Sequence, residues 1–327
     1  MSDSAERESY LRLAQLSPQR RQLLAALRSR RDADQAATRE VLMRPGGDGR
    51  VVLIHPSGGA LFCYVPLIRA LPSGPAVVGF PAVPGDRAAP LEQRVVAVAA
   101  RIAAELQRAE LSGCVLAGWS YGGSVAFETA RQLALSGVAR PPVVLLDSPF
   151  VEDLAIRIPS ETEFRRQFVY DLARLHGVDE GRLRRLRAIA YGADGSHDAP
   201  AADDGPVPDL VELARAAGIT DDLTPAELTE HYQTFYAAAS GLHRYQPATG
   251  YPGPVHVLSA AATDPEMAAG WRSAATGDFR HDVLAGDHYR VFAPDNLPAV
   301  VAAITRQLAA TTPGSSGSSA SARAVPT

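Results

Sequence analysis

The chain reads as an α/β protein, a mostly parallel sheet flanked by helices with a helical segment inserted late in the chain. Three observations predict this. From Val51 onward, short apolar runs of strand length alternate with amphipathic stretches of helix length. That rhythm breaks after Phe150, and about a hundred residues follow with helical patterns and no convincing strand before Val255. Between the two regimes, the apolar run Cys114-Val115-Leu116-Ala117 leads directly into Gly118-Trp119-Ser120-Tyr121-Gly122, a tight turn between a strand and a helix.

In chain order, residues 1–40 are polar and arginine-rich, with Leu13, Leu16, Leu23, Leu24 and Leu27 at helical spacing. This predicts an N-terminal helical extension that either docks a partner or caps the fold. The main domain spans 41–310. Its strands are expected at Val51 to His55, Ala76 to Phe80, Cys114 to Trp119 and Val143 to Asp147. Helices are expected from Leu61 to Leu71, from Leu91 to Leu111, and from the tight turn to Ser136. Residues 151–240 are read as a helical lid, interrupted by an Asp/Ala/Pro-rich loop near Ser196 to Pro208. Strands resume with Val255 to Leu258 and end with Asp282 to Ala285, ahead of a final helix. Residues 311–327, rich in Ser, Gly and Ala, are expected to be a disordered tail.

At 327 residues, 46% apolar and 21% charged, the chain can bury one large core. No apolar run reaches membrane length and the charged N-terminus is no signal peptide, so a soluble, cytoplasmic protein is expected. The net charge of -4 argues against a nucleic-acid partner. All 32 basic residues are arginine, which excludes Schiff-base lysines, pyridoxal phosphate linkage and the P-loop. Cys63 and Cys114 lie in apolar surroundings without metal or disulfide spacing and are read as buried thiols; neither cofactor nor metal is expected.

A glycine on each side of Ser120 is what a nucleophile elbow needs, because only small residues clear so sharp a turn. The bland alternative is an ordinary glycine-rich turn. A serine hydroxyl attacks only when a base takes its proton, and that base needs an acid to hold its tautomer. In the α/β-hydrolase fold the order is serine, acid, histidine, each after a strand. His288, in the loop Gly286-Asp287-His288-Tyr289 behind the last strand, meets that order, whereas the other seven histidines lie within strands or too early. Two carboxylates compete as the acid. Asp147 follows its strand with no intervening loop, while Asp264 sits on a looser segment where it could equally cap the helix starting Pro265-Glu266-Met267-Ala268, so Asp147 is favoured. The amide of Tyr121, directly after the nucleophile, is one expected oxyanion donor.

From Leu53 to Leu308 the chain resembles the thioesterase domains that end nonribosomal peptide synthetases and polyketide synthases. The resemblance rests on His55-Pro56-Ser57-Gly58-Gly59 with Tyr64 and Leu67, on Gly118 to Gly123, and on Phe127-Glu128 with Ala130. It continues through Leu146-Asp147-Ser148, Tyr245-Gln246-Pro247, Tyr251-Pro252-Gly253-Pro254-Val255 and Gly286-Asp287-His288. It implies that Ser120 is acylated by a chain arriving as a phosphopantetheine thioester on an acyl or peptidyl carrier protein, and that water or an internal nucleophile releases it. It also implies Ser57, with Gly58 as alternative, as the second oxyanion donor. Chain-terminating members carry the acid after the family's sixth strand and editing members after the seventh, so Asp147, with Trp119 and Tyr121 around the serine, resembles the terminating class. A large lid would favour release of a long chain over short acyl units, and cyclisation over hydrolysis. The sequence contains no carrier attachment motif, which implies action on a carrier in trans or origin in a larger chain. Arg182, Arg184, Arg185 and Arg187 could meet an acidic carrier, although a solvated helix face is the favoured reading. An editing thioesterase and a generic carboxylesterase remain the alternative functions.

Overall fold

A computed structural model describes residues 40–108, 113–151, 158–175, 178–191, 209–219 and 223–311, with side chains of 187–191 excepted. The N-terminal extension, the tail and the loop from Ser196 to Pro208 therefore lie outside the described residues, as does the side chain of Arg187.

Seven strands form one sheet: β1 (Val41–Arg44), β2 (Arg50–Ile54), β3 (Ala76–Phe80), β4 (Cys114–Trp119), β5 (Val143–Leu146), β6 (Val255–Ala260) and β7 (Phe279–Leu284). Their spatial order is β1-β3-β2-β4-β5-β6-β7. Only β1 runs antiparallel, against β3, and the other neighbours pair in parallel. The strand Val41–Arg44 is absent from the sequence reading, because four residues with no buried face carry no apolar alternation.

Nine helices are described: α1 (Val65–Ala70), α2 (Arg94–Leu106), α3 (Tyr121–Leu135), α4 (Glu161–Leu175), α5 (Glu180–Tyr191), α6 (Leu210–Ala216), α7 (Pro225–Leu242), α8 (Glu266–Ala274) and α9 (Leu297–Thr311). Two expected helices are shorter than their apolar patterns. Leu61 to Leu71 resolves into a 3-10 turn over Phe62–Tyr64 followed by α1, where Pro66 occupies the first turn. Leu91 to Leu111 resolves into a 3-10 turn over Leu91–Gln93 followed by α2.

Alternation along each parallel strand divides the core. Val52, Ile54, Leu116 and Leu145 face one side, where α2, α3 and α8 pack, while Val51, Leu53, Val115 and Val144 face the other, covered by α1 and α9. The segment between β5 and β6 has a core of its own, in which Phe164, Phe168 and Leu172 of α4 meet Leu228, Tyr232 and Phe235 of α7. Sheet order also locates the site. The chain leaves β2 for β3 on one side and then crosses back to β4 on the other, which opens a crevice at the carboxyl ends of β2 and β4.

Candidate active site

At the β4 end of that crevice the chain reverses through Ser120, whose φ of 57° and ψ of -130° lie outside the region ordinary residues occupy. Neighbouring glycines make the turn possible. A Cβ on Gly118 would stand 2.1 Å from the backbone of Gly122, and one on Gly122 would stand 2.3 Å from the Ile54 carbonyl oxygen. Tyr121 then opens α3, so its amide belongs to the first turn, whose N–H groups have no intrahelical acceptor. On the β2 side, the loop after Ile54 is closed by the Gly59 amide donating to the Pro56 carbonyl at 2.8 Å. Ser57 from this loop and Ser120 line the same cavity. Tyr64 ties the two strand ends together, its hydroxyl donating to the Ile54 carbonyl at 2.6 Å and accepting from the Trp119 amide at 2.9 Å.

His288 lies in a 3-10 turn behind β7, and its Nδ1 is 2.6 Å from Asp147 Oδ2. Among the described residues, Ser120 and Asp147 are the two non-glycine residues with positive φ, the latter at 45°. Such backbone costs about 1–3 kcal/mol per residue and persists where surrounding structure holds it. For Asp147 the hold is visible: Oδ1 accepts the Ala260 amide at 2.7 Å, and Oδ2 also accepts the Thr263 hydroxyl at 3.1 Å. Burial works against its ionisation, but the hydrogen bond and charge of His288, with those two donors, outweigh it and keep the carboxyl below the usual range. The Asp147 side chain is 1% exposed and that of His288 33%, so the carboxylate is sealed in while the imidazole reaches the cavity.

Asp264 does not meet His288 among the described contacts; it is exposed, and its Oδ1 accepts the Glu266 amide at 2.9 Å at the start of α8. Cys114 is buried, and Cys63, partly exposed as a residue, lines the cavity with its thiol desolvated. Burial pushes its thiol far above the ordinary range, so it is neutral there. Arg182, Arg184 and Arg185 are exposed, and Arg182 lies 3.5 Å from the Asp179 carboxylate. No group of three or more His, Cys, Asp or Glu among the described residues is arranged to hold a metal, and no described helix is long and apolar enough to cross a membrane.

Sequence reasoning placed Trp119 beside the serine but missed its contact with the imidazole, and it missed Asn296. Trp119 stacks on the His288 ring at 4.9 Å and donates Nε1–H to the His288 carbonyl at 3.1 Å. Asn296 holds the loop from below, accepting the Ala285 amide and donating to the carbonyls of Ala285 and Arg290. The Trp119 contacts join residues 169 positions apart, so no local pattern signals them, whereas the Asn296 bonds span 11 and 6 positions within one loop.

The cavity has two lobes that meet at Ser120 and His288. The inner one, about 90 Å³, is walled by Ala60, Phe62, Phe168, Leu172, Leu175 and Leu223. The outer one, about 510 Å³, opens past Pro149, Gln167, Leu242, Thr263 and Met267. Residues of α4 and α7 therefore form the walls facing the sheet ends.

The family model described as Thioesterase domain matches residues 49–308. The chain belongs to the thioesterase domain family. Among curated proteins, the chain is 32% identical over 193 residues to an orsellinic acid synthase of Armillaria mellea, covering 58% of the chain and 7% of the synthase. It is 32% identical over 155 residues to pyochelin synthetase PchF of Pseudomonas aeruginosa, covering 46% of the chain and 8% of that protein. The chain thus spans less than a tenth of these relatives, at 7% and 8% of their lengths. Among solved structures it is similar to the Vlm2 thioesterase domain, with a TM-score of 0.53 and 22% identity over 82% of this chain and 97% of that one. The RedJ thioesterase of the prodiginine pathway in Streptomyces coelicolor matches with a TM-score of 0.51 and 20% identity, over 80% and 91% of the chains. At these identities the likeness concerns the α/β-hydrolase fold.

Proposed function

We propose that this thioesterase works through an acyl-enzyme at Ser120, accepting a peptidyl or polyketide chain from the phosphopantetheine thioester of a carrier protein in trans. The observation that carries this reading is the 2.6 Å contact of His288 with the sealed Asp147, beside a serine on a strained elbow at a two-lobed cavity. Ser120 Oγ attacks the thioester carbonyl while His288 Nε2 takes the hydroxyl proton, and Asp147 holds the tautomer and stabilises the imidazolium. The oxyanion is stabilised by the amides of Tyr121 and Ser57, the first aided by the N-terminus of α3. Collapse breaks the C–S bond, and the departing sulfur takes the proton from His288. A water, or a hydroxyl or amine of the acyl chain itself, then attacks the ester with His288 as base.

The position of Asp147 supports the chain-terminating class over the editing class, and the outer lobe of about 510 Å³ supports a long acyl chain over acetyl or propionyl units. Enclosure by α4 and α7 favours an internal nucleophile over water, hence cyclisation. The test is intact-protein mass spectrometry after mixing the protein with carrier-bound acyl thioesters, long and short, and with an aryl ester. A long acyl adduct on the wild-type protein that is missing from Ser120→Ala is expected, and thioester cleavage by a folded Ser120→Ala protein at the wild-type rate would sink the serine mechanism. Preference for the aryl ester would make it a carboxylesterase, and faster clearance of short acyl groups would make it an editing enzyme.

A further inference from the structure

Helix α4 belongs to the segment between β5 and β6, yet two of its residues, one turn apart, grip the loop that carries His288. The Tyr289 hydroxyl donates to Asp171 Oδ1. Arg174 Nη2 donates to both carboxylate oxygens of Asp287 at 3.2 Å each, and its guanidinium lies 4.7 Å from the centroid of the Tyr289 ring. Tyr170 meets that ring edge-on at 5.7 Å. His288 is therefore bracketed, with each sequence neighbour tied to the same helix. Tyr289 packs against the core under the sheet and also against the core of the helical segment, so it is one of the residues that join them.

The ion pair by itself contributes modestly, since one Arg174 donor is shared between two oxygens at 3.2 Å and the Asp287 side chain is 40% exposed. The Arg174 side chain is 17% exposed and adds a cation–π contact to Tyr289, so with the Tyr289 hydroxyl bond three contacts act on the same loop. Burial raises the Asp171 carboxyl to about 6, against the pull of the Tyr289 hydroxyl and of the His288 and Arg174 charges. An acid kept there at a cost to ionisation suggests a use beyond packing.

We propose that Asp171 and Arg174 are positioning residues for His288, acting through Tyr289 and Asp287, so that the base is aligned with Asp147 and Ser120 when α4 is seated. The proposal rests on the assignment of Ser120 and His288 as nucleophile and base. It also links substrate to base: Phe168, Leu172 and Leu175 on the same helix wall the inner lobe, so an acyl chain lodged there braces the element that holds the imidazole. Chain binding then favours the seated helix, and rate as well as affinity depends on how well the chain fills the lobe.

The test uses the full chain carrying Arg174→Leu, Arg174→Lys or Tyr289→Phe, with circular dichroism as the check of folding. For a long-chain acyl thioester, Arg174→Leu and Tyr289→Phe are expected to lower kcat by about tenfold to a hundredfold with KM changed less than twofold, since small misalignments of reacting groups cost that much. Arg174→Lys keeps the charge opposite Asp287 and should recover part of the loss. In parallel, the low-field proton resonance of His288 Nδ1–H, which reports its bond to Asp147, should shift or broaden in both disruptive variants. Wild-type kcat with an unchanged resonance overturns the proposal, as does a raised KM at constant kcat, which would make these residues mere pocket lining. If the wild-type protein turns over no thioester, the functional reading fails, and the resonance alone decides the clamp. Should Tyr289→Phe not fold, Arg174→Leu carries the same comparison from a side chain at the rim.

Discussion

Among the described residues, two histidine–aspartate pairs of similar contact distance are inverted with respect to solvent. In the first, His288 Nδ1 meets Asp147 at 2.6 Å, with the aspartate sealed and the imidazole reaching a cavity. In the second, across β6 and β7, His256 Nε2 meets Asp282 Oδ2 at 2.8 Å, with the histidine 0% and the aspartate 61% exposed. A buried carboxylate with an accessible imidazole can orient a base and stabilise its charged form. The reverse arrangement leaves the imidazole no substrate to reach; burial presses His256 toward its neutral form, beyond what Asp282 restores. Contact distance therefore separates the two pairs far less than the question of which partner is buried.

Asparagine at each acid should break this comparison most visibly. Asp147→Asn is expected to lower kcat on a carrier-bound thioester by on the order of 10³ to 10⁴, because the amide favours the wrong tautomer. Asp282→Asn should leave kcat within about twofold, and Asp264→Asn should cost less than about tenfold, as a helix cap rather than an orienting acid. Steady-state kinetics on the three purified variants decide it, and a larger loss for Asp264→Asn would move the acid there.

Stability should rank the histidines the other way. His256→Ala removes a fully buried ring and is expected to destabilise by about 2–3 kcal/mol in urea unfolding, with kcat per folded molecule unchanged. His288→Ala should abolish turnover while changing stability by about 1 kcal/mol or less. Equal stability losses would mean that exposure does not divide the two roles.

The smallest effect concerns pH. His256 has a folded value lowered from 6.5, so below that pH the unfolded chain binds a proton that the folded chain resists, and stability falls as pH falls through 6.5. Asp147, lowered from 3.8, adds its own loss only in more acidic solution, as pH falls below that value. Between about pH 7 and pH 5.5, where Asp171, raised to about 6, acts in the opposite sense, His256→Gln should therefore remove the acid-side loss that His256 contributes, read as the difference in slope between the variant and the wild type. An unchanged slope in His256→Gln would show that the buried ring is not the titrating group.

The elbow was legible in the sequence because its requirements are local. Gly118 and Gly122 clear backbone atoms within a few residues of Ser120 or on the adjoining strand end, and a strand-length apolar run before them fixes the direction of the turn. The order of elements on either side was legible for the same reason, since burial on both faces of a parallel strand leaves a continuous apolar run. β1 was not, because its pairing with β3 depends on backbone hydrogen bonds at a sheet edge and leaves little mark on its side chains.

What the sequence determined by itself was therefore the α/β class, the strained serine, and a histidine in the right place in the order of elements. Tertiary structure alone decided which carboxylate meets that histidine, since Asp147 and His288 are 141 positions apart and are joined only by the register of β5, β6 and β7. It also decided the shape of the cavity and the grip of Asp171 and Arg174 on the histidine loop, contacts spanning 118 and 113 positions. Local sterics act between near neighbours and are written in the sequence pattern, whereas long-range contacts exist only once the sheet has ordered its strands and the inserted helices have packed against it.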